Sequence, residues 1–268
     1  MKSSMHKSSL PSSWKFSSPR SPGFHTVVSS DNSACREVRI FRLNLRKNAS
    51  YVLYDELLEM NVAVIAGHAR LKVGRATLDM AKLDSFYLPA GIKAKIEAVN
   101  NLVVYAGGGI YEGIGRFHFR KFDLGLPVGA IHQIHGRPPY RREVFMTVNP
   151  ELPASRLIAG FTWGDTGGWT SWPPHQHEKD LEEVYCYFDM PAPQMAMHLS
   201  YTEEMRRSDV HFVSSGDFVI APCGYHPTIA VPGARSTYFW VLAARSHASR
   251  RYDLALSDPC YGSAHEQR

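Results

Sequence analysis

From about Glu37 onward the chain alternates apolar and polar residues with a period of two, and Gly, Asn or Pro interrupts the alternation at intervals of about 8–12 residues. Val38-Arg39-Ile40-Phe41-Arg42-Leu43 shows the pattern, as do Ala69 to Val73 and Ala76 to Met80 on either side of a turn at Gly74. Successive side chains of a strand point to opposite faces, so this period selects half-buried strands. Many short strands with regular turns select an all-β sandwich or barrel. No long helical stretch competes; Tyr51 to Glu59 has some helical spacing but reads equally as a strand and its turn.

A second β-rich half begins near Arg141, with strand-like runs at Val144 to Val148, Arg156 to Thr162, Glu183 to Phe188, Met195 to Tyr201, Asp217 to Ala221 and Thr237 to Leu242. The Gly-, His- and Pro-rich stretch from Gly107 to Pro139 reads as a connector. The halves echo each other. Asp84-Ser85-Phe86-Tyr87-Leu88-Pro89-Ala90-Gly91 matches Asp217-Phe218-Val219-Ile220-Ala221-Pro222-Cys223-Gly224 in its order of Asp, apolar strand and Pro-x-Gly turn. Only the second copy carries a histidine two residues later, His226. The expectation is a duplicated fold with one working site. It has a flexible Ser-rich tail at 1–34, a degenerate barrel with connector at 35–135, a working barrel at 136–250 and a C-terminal tail at 251–268.

Composition narrows the function classes. With 44% hydrophobic and 21% charged residues in 268, a sizeable core can form. No uncharged apolar run reaches about 18 residues, so no transmembrane helix and no membrane partner are expected. The N-terminus lacks the apolar core of a secretory signal. The net charge of +5 is spread out, with no basic cluster denser than pairs such as Arg141-Arg142, Arg206-Arg207 and Arg250-Arg251. That is too sparse for a nucleic-acid binder and suits a small anionic substrate or an ordinary solvated surface. The four cysteines, Cys35, Cys186, Cys223 and Cys260, form no C-x-x-C pair and read as free thiols of a cytoplasmic protein.

The strongest chemical signal is Pro173-Pro174-His175-Gln176-His177-Glu178-Lys179-Asp180-Leu181-Glu182-Glu183-Val184-Tyr185. On a strand, His175 and His177 project to the same side. A carboxylate follows, and His226 completes a set of three histidines and one acid that suits a divalent first-row metal. In a regular strand Glu183, Tyr185 and Tyr187 share one face, while Glu182, Val184, Cys186 and Phe188 share the other. The second face reads as core, which favours Glu183 as the ligand and leaves Glu182 as a second candidate. With 13 histidines in the chain, His-x-His alone would carry little weight. The following carboxylate, strand and Pro-x-Gly-x-His are what lift it. His132 and His135 are read as structural or exposed.

These two segments together resemble the two halves of the cupin signature. Trp172-Pro173-Pro174-His175-Gln176-His177 and Leu181-Glu182-Glu183-Val184-Tyr185 are similar to the family that contains 5-deoxy-glucuronate isomerase of inositol catabolism and 5-keto-4-deoxyuronate isomerase of pectin breakdown. Gly224-Tyr225-His226-Pro227 and Tyr140-Arg141-Arg142-Glu143-Val144 resemble the first of these more closely. The short loop between His177 and the glutamate leans toward the second, with one residue extra.

The resemblance implies a bicupin of two jelly-roll-like barrels, with the metal in the C-terminal barrel alone. It implies an aldose–ketose isomerase of a deoxy sugar acid, 5-deoxy-glucuronate to 5-dehydro-2-deoxygluconate in myo-inositol catabolism. The alternatives are the keto-deoxyuronate isomerase, an iron cupin oxygenase and a non-enzymatic sugar-binding cupin. Zinc is expected first, ahead of manganese, iron and nickel, and so is a homo-oligomer. The reaction moves one hydrogen between adjacent carbons, and Glu182, Tyr185 and Tyr187 are the candidate proton shuttles. Arg141 or Arg142 would clamp the substrate carboxylate through a guanidinium fork. Tyr225 would line the pocket, and Trp163, Trp169 and Trp172 are candidates for a wall against the sugar, though core packing suits at least two of them.

Overall fold

The computed structural model describes residues 14–202 and 208–261. The period-two segments are strands, and among the described residues there is no α-helix, only short 3-10 turns near the C-terminal end. In the first half, β2 (Gly23–Val28), β3 (Arg39–Leu45), β5 (Leu58–Ala66), β8 (Ser85–Leu88), β10 (Leu102–Ile110) and β11 (His118–Arg120) form one sheet in the order β11-β8-β5-β10-β3-β2. The facing sheet is β4 (Ser50–Leu53), β6 (Ala69–Val73), β7 (Ala76–Met80) and β9 (Ala94–Ala98), in the order β4-β9-β6-β7. Phe41, Val62, Leu71, Phe86 and Ile96 fill the space between them.

The second half repeats the plan. The strands β12 (His132–His135), β13 (Arg142–Val148), β14 (Leu157–Gly164), β16 (Leu181–Tyr187), β19 (Asp217–Ala221) and β21 (Thr237–Ala244) join β1 (Lys15–Ser17) in a seven-stranded sheet. Its order is β1-β19-β16-β21-β14-β13-β12. Across from it lie β17 (Ala196–Tyr201), β18 (Ser208–Val213) and β20 (Thr228–Ala230). A short pair, β15 (His175–Gln176) with β22 (Leu256–Ser257), closes one end.

The two large sheets carry the same succession. The order β8-β5-β10-β3-β2 in the first matches β19-β16-β21-β14-β13 in the second, so the duplication expected from the sequence echo is present in the topology. They lie back to back, with Ile40, Ala63, Phe145, Phe161, Val184, Cys186, Phe239 and Val241 between them. Each fully buried side chain of this size contributes roughly 1.5–3 kcal/mol, which makes the seam a core in its own right. The approach is tight at Gly107 of β10, where an added Cβ would collide with the Val241 side chain.

The tails are shorter than expected. Residues 14–34 are not a flexible tail: β1 pairs with β19, and β2 pairs with β3. Phe16 packs on the seam, where Val27 and Val28 are buried, so the apolar residues scattered among the serines are what hold this segment down. Residues 251–261 are likewise part of the fold, through β22 and the buried contact of Tyr252 with the second barrel. The expected connector contributes β11 to one sheet and β12 to the other, which moves the start of the second barrel ahead of 136. Residues 1–13 and 262–268 of the expected tails, and the pair Arg206-Arg207, lie outside the described residues.

Candidate metal centre

The alternation along β16 sets the site. Leu181, Glu183, Tyr185 and Tyr187 face the interior of the second barrel, while Val184 and Cys186 face the seam. β15 brings His175 to the same interior, and His177 follows it directly. His226 arrives from the turn after β19. Gly224 holds φ +71 there, and any side chain at that position would press on the Tyr201 carbonyl, so glycine is required to aim the histidine. His175, His177, Glu183 and His226 each offer a ligand atom, all within 4.8 Å of one another, and all four residues are buried.

The histidines are oriented for ligation. Each uses Nδ1 on a backbone carbonyl: His175 on Pro173 at 2.9 Å, His177 on Leu181 at 3.1 Å and His226 on Gly224 at 2.9 Å. With Nδ1 the donor, the lone pair sits on Nε2, and Nε2 is the atom that converges. The Nε2 atoms of His177 and His226 lie 3.1 and 3.2 Å from Glu183 Oε2. Burial, reinforced by the neighbouring His226 and His177, pushes His175 down to about 3, so it stays a neutral donor. Burial alone would raise Glu183, but the close approach of the His177 and His226 rings outweighs it and keeps the carboxylate charged. Three imidazoles and one carboxylate in a buried pocket are the donor set of a divalent first-row metal.

The centre opens into a cavity of about 330 Å³, within the range of small-ligand sites. Arg142 lines it, buried to 4% exposure, with its guanidinium 5.6 Å over the Trp172 ring. No carboxylate pairs with it among the described residues, and its Nε has no hydrogen-bond partner. Tyr185 also lines the cavity, on the same face of β16 as Glu183. Burial first, then the Glu183 charge, holds that phenol protonated.

Other sequence expectations separate here. Glu182 is not a shuttle: its carboxylate points to the seam, where it accepts from the backbone N–H groups of Arg36, Glu37 and Val38. Tyr187 is buried away from the cavity, with its hydroxyl on His198 and Thr228. Arg141 is turned outward toward Glu143 and Asp165, because its neighbour Arg142 takes the inward position of the strand. Tyr225 stacks on Tyr201 with ring centroids 5.1 Å apart and does not reach the cavity. Of the three tryptophans, only Trp172 lines the cavity; Trp163 packs into the seam, and Trp169 donates to the Trp172 carbonyl.

Gln133, His135 and Tyr252 line the cavity without having been singled out for it. The alternation Gln133-Ile134-His135 on β12 was the available signal for the first two. Tyr252 carried none, because the residues around it have no strand pattern.

Two barrels in tandem, one carrying a buried three-histidine, one-glutamate centre, define a bicupin with a single metal-type site among the described residues. The chain matches the KduI/IolB family over residues 15–258, and it belongs to that family. It is 28% identical over 236 residues to a 5-deoxy-glucuronate isomerase of Lacticaseibacillus casei, covering 79% of this chain and 83% of the relative. It is 30% identical over 246 residues to the 5-deoxy-glucuronate isomerase of Bacillus subtilis strain 168, covering 84% and 88%. Among solved structures, an IolB-like protein of Salmonella typhimurium LT2 superposes with a TM-score of 0.82 at 20% identity, covering 94% and 98% of the two chains. Oxalate decarboxylase of Bacillus subtilis, a protein with Mn(II) centres, superposes at 0.60 and 13% identity, covering 91% and 78%, a likeness of fold alone.

Proposed function

We propose that this chain is an aldose–ketose isomerase of a deoxy sugar acid, converting 5-deoxy-glucuronate to 5-dehydro-2-deoxygluconate, with a divalent metal held by His175, His177, Glu183 and His226. The observation that carries it is the Arg142 guanidinium, buried without a carboxylate partner among the described residues, in the same cavity as the converging Nε2 atoms. A metal bound there supplies a Lewis acid that polarises a carbonyl and its neighbouring hydroxyl.

The chain's own groups do the rest. Arg142 fixes the substrate carboxylate, and that contact offsets the cost of keeping its guanidinium buried. Trp172 holds the arginine plane in place and offers an apolar wall. Tyr185 is a protonated donor beside Glu183, placed to hand a proton to an oxygen that gains charge as the hydrogen moves between carbons. Val144, Leu181 and Leu242 line the cavity and limit water.

Zinc is the metal we favour, ahead of manganese, iron and nickel, and we favour a cytoplasmic homo-oligomer. No helix among the described residues is long and apolar enough to cross a membrane. The test combines metal analysis of the purified protein with NMR observation of 5-deoxy-glucuronate turnover, alongside the His175→Ala and His226→Ala variants. One divalent metal per chain, lost with activity in both variants, supports the reading. Turnover of 5-keto-4-deoxyuronate instead would move the substrate within the family. Oxygen uptake with bound iron would replace isomerisation by oxygenase chemistry.

A further inference from the structure

We infer that the seam between the barrels holds a second ligand site, for a small organic anion with a carboxylate or phosphate head and an apolar body. A cavity of about 600 Å³ lies there, away from the metal centre. Its cationic side is Arg20, from the loop before β2, and Arg42, from β3. Ile65, Val103, Phe188 and Met190 supply apolar wall. Both barrels contribute, since Phe188 to Ala192 and Ser214 to Gly216 come from the second half.

Arg42 is the critical group. It is only 7% exposed, yet among the described residues no carboxylate pairs with it or with Arg20. Its Nε donates to Asn44 Oδ1 at 2.8 Å, and Nη1 donates to Ser18 Oγ at 2.8 Å, while the guanidinium lies 5.8 Å over the Tyr105 ring. Nη2 makes no hydrogen bond among the described residues, and Arg42 lines the cavity. These neutral contacts orient the charge without balancing it, and a buried charge normally has a counter-charge. Burial lowers the Arg42 pKa, and the nearby Arg20 lowers it further, so the two guanidiniums repel across the same space.

The acids nearby are already engaged. Asp189 lines the cavity but is paired with Lys82 at 2.5 Å. Asp217 is paired with Lys15 at 3.0 Å. The backbone around Arg20 is held, since Asn44 Nδ2 donates to the carbonyls of Pro19 and Ser21 on either side of it, and the exposed Arg20 guanidinium lies 3.5 Å from the Ser215 carbonyl. Two guanidiniums of like charge, one of them buried and held, facing a partly apolar cavity are complementary to one anionic head.

The test uses the metal-loaded full chain and two probes, inorganic phosphate and 3-methylbutanoate, read by calorimetric titration and by Tm. Either probe should bind and raise Tm, and which one binds more tightly identifies the head group. Arg20→Gln, at an exposed position, should fold normally, weaken that binding about tenfold, as expected for one lost charge-assisted contact, and leave isomerase kcat/KM unchanged. Arg142→Gln should do the reverse. Arg20→Glu places a carboxylate beside Arg42, so it should raise Tm without added anion and abolish the anion response. Absence of binding by both probes, or binding by Arg20→Gln equal to wild type, would overturn the inference.

Discussion

Glu59 of β5 and Glu182 of β16 are counterparts, and each accepts hydrogen bonds from three consecutive backbone N–H groups of the opposite barrel. Glu59 takes those of Ser155, Arg156 and Leu157 at 2.6–2.8 Å. Glu182 takes those of Arg36, Glu37 and Val38 at 2.7–3.3 Å. Both triplets lead into corresponding strands, β14 and β3. The pairing registers agree: Met60 stands opposite Leu88 as Glu183 stands opposite Ala221. The duplication therefore kept the glutamate that joins the barrels in both copies, and the glutamate of the three-histidine cluster in only one. In the first barrel Met60 occupies the position of Glu183, and Lys93 that of His226.

The adjacent glutamates should accordingly fail in different ways. Glu182→Gln leaves buried N–H groups poorly satisfied at about 1–3 kcal/mol, which lowers Tm by about 2–4 °C per kcal/mol in a chain of this size, while metal content stays at the wild-type level. Glu183→Gln should lose metal. Metal analysis beside a thermal melt checks both, and loss of metal from Glu182→Gln at unchanged Tm would refute the assignment.

Removing the metal should destabilise the protein as well as inactivate it. A ligand that binds only the folded state stabilises it by about 4 kcal/mol at a thousandfold excess over its Kd. Dialysis against a chelator should lower Tm, zinc should restore it, and His175→Ala should show neither response.

The two adjacent arginines make a sharper comparison. Arg142→Gln should reduce kcat/KM about 10- to 150-fold, the effect of losing a hydrogen-bonded charge contact of roughly 1.5–3 kcal/mol. Arg141→Gln, which breaks only half-exposed pairs with Glu143 and Asp165, should change it less than about threefold. Steady-state kinetics on one substrate distinguishes them.

His198 predicts a pH dependence. It is fully buried, with Nδ1 2.7 Å from the Tyr187 hydroxyl and Nε2 unpartnered. Burial chiefly, then the nearby His226 and His211, lowers its pKa well below 6.5. The folded state keeps it neutral, whereas the unfolded chain takes up a proton as pH falls through about 6.5. Its contribution is therefore fully present above that pH and is lost progressively below it, by at most about 1.4 kcal/mol per pH unit. Melts from pH 8 to pH 5 should show a smaller loss for His198→Gln than for the wild type; parallel curves would exclude this role.

The sequence carried the metal set because its information is local. His175 and His177 flank one position, Glu183 follows on a strand whose other face is apolar, and a Pro-x-Gly turn delivers His226. What a side chain meets across the seam was not legible. The partners of Glu182 lie at 36–38, so distant in sequence that only the assembled fold reveals them as its acceptor's donors. The same holds for the choice between Arg141 and Arg142, which turns on where β13 begins. Residues 14–34 looked like a tail because serine and proline dominate, yet Phe16, Val27 and Val28 suffice to seat two strands.

The placement of β1 also constrains how the chain can be made. Ser17 hydrogen-bonds Asp217, 200 residues later, and β1 has β19 as its partner strand. On a ribosome the first strand emerges early and then waits until most of the polypeptide has followed. Throughout that interval the seam-facing side of the first barrel, with Ile40, Ala63 and Tyr105, lacks the sheet that covers it. Contacts so remote in sequence form slowly, and exposed apolar surface of this kind invites association between nascent chains. Biogenesis, more than the finished molecule, is where this architecture is vulnerable.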